Sequence, residues 1–167
     1  MKELDLFERF STASRKAVFC ARWEAGFVDS EIIDSEHLLL GLLRVDPTTL
    51  QYICQAVTLI SVREAALRWH VPGEKLPTFV DLPIGEDVTL AFENAASFAD
   101  VHRDSFVRTE HLLLALMTLT TSHAAIILGE ADASLPRLQH LVSGIQDHGN
   151  QDGVQFSSED LEFLIGP

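Results

Sequence analysis

The stretch Ser35-Glu36-His37-Leu38-Leu39-Leu40-Gly41-Leu42-Leu43 returns as Thr109-Glu110-His111-Leu112-Leu113-Leu114-Ala115-Leu116-Met117, an offset of 110 − 36 = 74 residues. The register persists upstream, pairing Ala17 with Ala91, Ala21 with Ala95, Ala25 with Ala99 and Ile33 with Val107. One helical unit is therefore present twice, and the fold must pack two similar apolar surfaces.

Periodicity and caps divide each unit into four helices. In the first unit, Ala13, Ala17, Ala21 and Ala25 form an i, i+4 stripe on a helix over about 11–26, with Ser11 as its N-cap. Small side chains in such a stripe let a second helix approach closely. That second helix is capped by Ser35, turns Leu38, Leu39, Leu42 and Leu43 to the core, and stops at Asp46-Pro47. Helices follow at about 50–56 and from Ser61, then Pro72-Gly73, Pro77 and Pro83 mark a connector. The second unit predicts helices at about 86–99, 109–119, 124–128 and 134–142. No convincing period-two alternation occurs, so the expectation is an all-α fold of eight main helices with pseudo-twofold symmetry. Repeat one covers about 6–71 and repeat two about 84–145, together forming a domain over 1–145 with a tail at 146–167.

At 167 residues and 47% hydrophobic, the chain can bury a real core. A net charge of −13, from 12 basic against 25 acidic side chains, argues against a nucleic-acid partner, which would need a basic footprint. No apolar run reaches the roughly 20 residues of a membrane span, and Met1-Lys2-Glu3-Leu4-Asp5 lacks the apolar core of a signal peptide. The chain reads as soluble, cytoplasmic and not membrane-bound.

Catalytic and cofactor signals are missing. Cys20 and Cys54 lack C-x-x-C spacing and read as core thiols, and the seven histidines show no paired-ligand spacing, so no metal site is expected. No nucleophile elbow occurs, and Gly73-Glu74-Lys75 lacks the phosphate-cradling loop of an ATPase. We expect no enzyme activity and no cofactor.

The doubled [ST]-Glu-His-Leu-Leu-Leu-[GA]-Leu motif, preceded by an Ala-rich helix and followed by a short Ser-started helix, resembles the double amino-terminal domain of the Clp ATPase chaperones. Phe7-Glu8-Arg9-Phe10-Ser11 is also similar to that family's opening, and the resemblance runs from about Leu6 to Val142. It implies a non-catalytic module that recruits substrates or adaptors to an AAA+ unfoldase and its peptidase. Alternatives are an accessory subunit attached to the peptidase ring, or an amino-terminal fragment of a longer Clp ATPase. The Met1 start and the ending Leu164-Ile165-Gly166-Pro167 favour a free-standing protein.

The resemblance also implies a site. In bacterial members that recognise phosphoarginine, the motif Glu pairs with the guanidinium, while a hydroxyl cap on the first helix of the same repeat and nearby N–H groups hold the phosphate. A carboxylate beside a helix N-terminus suits that zwitterion physically. Glu36 with Ser11, supported by Arg15 and Lys16, reads as a competent site in repeat one. Glu110 with Gly85 reads as a degenerate second site, because glycine has no hydroxyl and Glu86-Asp87 would repel phosphate. Both glutamates also complement their helix dipoles. His37 and His111 are expected to tie down neighbouring backbone, and at least one of Trp23 and Trp69 to close the core. In the tail, Ser158 starts a helix whose Leu161, Phe163, Leu164 and Ile165 are expected to dock on this chain or on a second copy, a possible route to a homo-oligomer.

Overall fold

The computed structural model describes residues 3–70 and 81–145. The expected docking of the tail, including Ser158 and Leu161 to Ile165, lies outside the described residues. Among these the chain is all-helical, with a short α1 (Glu3–Glu8) ahead of the eight expected helices. Repeat one comprises α2 (Thr12–Phe27), α3 (Ser35–Val45), α4 (Pro47–Ile53) and α5 (Leu59–Ala66). Repeat two comprises α6 (Glu86–Val101), α7 (Thr109–Thr118), α8 (His123–Glu130) and α9 (Leu135–Ser143).

Two caps differ from expectation by one residue. Asp34, not Ser35, caps α3, and Arg108, not Thr109, occupies the cap position of α7. The reason is a second hydrogen bond. His37 Nδ1 accepts the Asp34 N–H at 3.0 Å, closing a capping box with Asp34, and His111 Nδ1 accepts the Arg108 N–H at 3.0 Å, the histidine half of such a box alone, since the Arg108 guanidinium carries no acceptor atom. The two histidines thus do tie down backbone.

The alanine stripe does what its spacing suggests. Ala17, Ala21 and Ala25 are buried, and a Cβ at Gly41 would stand 2.1 Å from the Ala17 carbonyl oxygen, so α3 meets α2 backbone to side chain at that point. Repeat two has Ala115 there. In both repeats the first helix ends on a left-handed residue at equivalent positions, Asp29 (φ 53°) and Arg103 (φ 57°). Beyond the motif helix the symmetry slips: the caps Thr58 and Ser134 of α5 and α9 are 134 − 58 = 76 residues apart, because repeat two carries a longer turn before α8.

The core runs through both repeats without a break, joining Leu38, Leu39 and Leu42 to Leu112, Leu113 and Leu116 and closing at α1 with Phe7, Phe10 and Phe92 in mutual ring contact. Cys20 lies in it, its thiol pushed up to about 11 by burial. Cys54 is half-buried and donates to the Ala131 carbonyl at 3.0 Å. No single helix among the described residues is long and apolar enough to cross a membrane.

Candidate functional site

The repeats are fastened together at their helix starts, crosswise. Phe10 forms an isolated parallel bridge with Val107, and Ile33 one with Ile84. Ser11 N–H donates to the Val107 carbonyl at 3.0 Å, so the start of α2 adjoins the start of α7. Gly85 N–H donates to the Ile33 carbonyl at 2.8 Å, so the start of α6 adjoins the start of α3. A third helix start joins each place. Ser35 Oγ accepts the Ala124 N–H of α8 at 3.1 Å, and Thr109 Oγ1 donates to Asp46 Oδ2, the cap of α4, at 2.9 Å.

This corrects the within-repeat pairing expected from sequence. Ser11 adjoins Val107, three residues before Glu110, and Gly85 adjoins Asp34, two residues before Glu36. A repeat offset identifies equivalent positions, not neighbours, and a pseudo-twofold axis can place each unit's first helix against the other unit's motif.

The Glu36 junction is closed. Glu36 is 5% exposed, and its Oε2 lies 2.9 Å from His123 Nδ1, with Asp34 Oδ2 at 3.8 Å from the same nitrogen. Burial is the main cause that pushes the Glu36 carboxyl above its ordinary range; Asp34 adds to it, while a backbone hydrogen bond and His123 oppose it. His123 is held flat against Trp69, ring centroids 4.2 Å apart and 11° from parallel, which is the packing role expected of one tryptophan. Asp34, Glu36 and His123 are also the one group among the described residues whose possible metal-ligand atoms lie within 4.8 Å of one another. Sequence reading missed this group because His123 comes from a helix start 123 − 36 = 87 residues away, beyond any spacing motif. Facing it, α6 begins with Gly85, Glu86 and Asp87 and has no side-chain cap.

The Glu110 junction has different chemistry. Glu110 is half-buried, with Thr109 Oγ1 3.1 Å from its Oε2. Beside it, α2 is capped by Ser11, whose Oγ accepts the Ser14 N–H at 3.1 Å, and no acidic residue occupies its first turn. Arg15 donates to the carbonyls of Phe10 and Glu8, fixing the turn that leads into the cap. Arg108 is held by Asp104 at 2.6 Å. Where α8 offers His123 to the first junction, α4 starts with Pro47 here.

Chemically, the first junction gathers two carboxylates and a histidine, and the second is a carboxylate beside a Ser-capped helix start without acidic residues in its first turn. Comparison with known proteins places both on a familiar scaffold. The chain matches the family model "Clp repeat (R) N-terminal domain" at residues 9–131 and 84–163. It is 31% identical over 150 residues to the chloroplastic chaperone protein ClpD1 of Oryza sativa subsp. japonica, covering 80% of this chain but 16% of that protein. The chain thus spans about a sixth of the length of the curated relatives it matches. The fold is that of the N-terminal domain of ClpD from Arabidopsis thaliana, with a TM-score of 0.67 at 22% identity, over 81% of this chain and 93% of that one. The N-terminal domain of Hsp104 from Candida albicans matches with a TM-score of 0.66 at 16% identity, over 85% and 97%.

Proposed function

Because the chain belongs to the Clp N-terminal repeat family, we propose that it is a non-catalytic polypeptide-binding module of a Clp chaperone or protease system, receiving substrates or an adaptor. The observation that carries the reading is the Glu110 junction, a half-buried carboxylate next to a helix start with no acidic residue in its first turn. Such a place accepts a ligand that carries cation and anion together, with the carboxylate taking a guanidinium and the first-turn amides of α2 an attached phosphate. Arg15 and Lys16 on the same helix add positive charge for the anion.

The candidate phosphoarginine-like site is therefore Ser11 with Glu110, and the Glu36 and Gly85 junction is the degenerate one. Glu36 already faces His123, and Glu86 and Asp87 repel phosphate. Titrating free phosphoarginine by calorimetry into the wild type and two variants tests the assignment. Glu110→Ala removes a charge-assisted pair worth about 1.5–3 kcal/mol and should weaken binding by roughly ten- to a hundredfold, while Glu36→Ala should leave it nearly unchanged. Equal losses in both variants, or no binding by the wild type, would defeat the assignment.

A further inference from the structure

A cavity of about 230 Å³ opens in repeat one between the end of α2, α3 and α5. Its walls include Val28, Leu40 and Ala66, and its mouth is edged by Phe27, Ile60 and Leu67, which are 64%, 69% and 57% exposed. For scale, an apolar cavity of about 150 Å³ already takes up benzene.

Of the polar side chains in its lining, Glu24, His37, Arg63, Glu64 and His70, the most informative is His37. His37 lines it while only 4% exposed, and its Nδ1 is taken by the Asp34 N–H. The ring is neutral at pH 7, because burial lowers its pKa to about 4, so its single proton sits on Nε2. No partner for Nε2 is found among the described residues. Glu24, also in the wall, is held by Arg44 at 2.6 Å and Arg63 at 2.8 Å, so it is not a free acceptor for that proton.

The fold does not require this space. In repeat two the position of Glu24 holds Phe98, packed on the core, and the position of Ala66, counted from the α5 and α9 caps, holds the fully buried Val142. His111 keeps the capping role of His37 there, with its Nε2 sealed in and without a partner among the described residues.

Outside the mouth the apolar surface continues along α2. Phe19, Trp23 and Phe27 recur every fourth residue, Trp23 stacks on Phe27 at 5.4 Å, and Phe19 is exposed. Repeat two has Glu93, Ser97 and Val101 at these places. A strip leading away from this cavity suits a polypeptide, with one side chain inserted and its neighbours laid along the helix.

We propose that this cavity is a socket for an aromatic side chain of a bound polypeptide, tyrosine above phenylalanine, with His37 Nε2 donating to the phenolic oxygen. The proposal rests on the reading that the chain binds polypeptide but uses a different place from the Glu110 junction. The probes are the capped peptides acetyl-Gly-Gly-X-Gly-Gly-amide with X as Tyr, Phe or Ala, titrated into the full chain while the Ile60 methyl and the His37 ring are followed by NMR.

The Tyr peptide should shift both signals saturably and bind about two- to tenfold tighter than the Phe peptide, the worth of one hydrogen bond; the Ala peptide should shift neither. Ala66→Phe, which fills the cavity as Val142 fills its counterpart, should weaken the Tyr peptide by at least about tenfold. Ile60→Asp, at an exposed rim position that cannot upset the core, should weaken it as well. Saturable binding by the Ala peptide, equal binding by Tyr and Phe, or full binding retained in both variants overturns the socket. Ala66→Phe leaves the phosphoarginine titration intact and Glu110→Ala leaves the socket intact, so the two readings fail separately.

Discussion

The two repeats share the histidine bond to the cap N–H, a leucine face and a left-handed residue after the first helix, yet they differ in the side chains packed around the motif histidine. Repeat two places Phe98 and Val142 where repeat one has Glu24 and Ala66, and keeps its motif histidine sealed. Repeat one instead buries a carboxylate between two guanidiniums and leaves a cavity beside it. Duplication preserved the histidine bond to the cap N–H, and side-chain volume then set the repeats apart, with Phe98 and Val142 in repeat two at the positions of Glu24 and Ala66 beside the cavity of repeat one.

The contrast is tested most severely at Glu24. Glu24→Ala leaves the buried Arg44 without its carboxylate and should cost about 3–5 kcal/mol in denaturant unfolding. Replacing Glu24 by Phe together with Arg44→Thr copies the repeat-two solution and should recover most of that loss. Failure to recover would show that the repeats differ by more than these side chains.

Helix approach comes next. Gly41→Ala forces a Cβ against the Ala17 carbonyl and should cost about 1–3 kcal/mol, whereas Ala115→Gly in repeat two should cost about 1 kcal/mol or less. Comparable losses from urea midpoints would mean that the two helix pairs approach equally closely.

The motif histidines should behave alike in pH despite their different surroundings. Burial lowers both from 6.5 to about 4. Between those values the unfolded chain binds protons that the folded chain refuses, so stability is complete above about 6.5 and falls as pH drops toward 4. Each histidine adds at most about 1.4 kcal/mol per pH unit to that slope. His37→Gln and His111→Gln should each reduce the slope by the same amount, read from unfolding free energies at several pH values.

The smallest effect concerns the caps. Ser11→Ala should cost about 1 kcal/mol of stability, while Ser11→Gly should cost a few tenths, since glycine already serves at Gly85. A large loss with glycine would give the Ser11 hydroxyl a structural role that its counterpart position does without.

What the sequence revealed divides along physical lines. Helices and core were legible because period, caps and the alanine stripe are local signals, and α1 was missed because six residues carry too little periodicity. Caps shifted from Ser35 to Asp34 and from Thr109 to Arg108 because the histidine bond to the cap N–H is a side-chain choice. The junctions were illegible from one offset, since adjacency across a pseudo-twofold axis is tertiary. The socket was hidden by the two-residue slip before α8, as a constant offset of 74 aligns Ala66 with His140 rather than with the Val142 that fills the space.

The crosswise fastening also sets an order in time. Ser11 waits for Val107, Ser35 for Ala124 and Glu36 for His123, so the first repeat cannot complete its own helix starts until the second has been made. At roughly 5–20 residues per second of synthesis, a span of 124 − 35 = 89 residues separates Ser35 from its partner by about 5–20 s. During that interval α3 is packed against α2 and α5 of its own repeat, while the side that meets α6, α7 and α8 still lacks its cover.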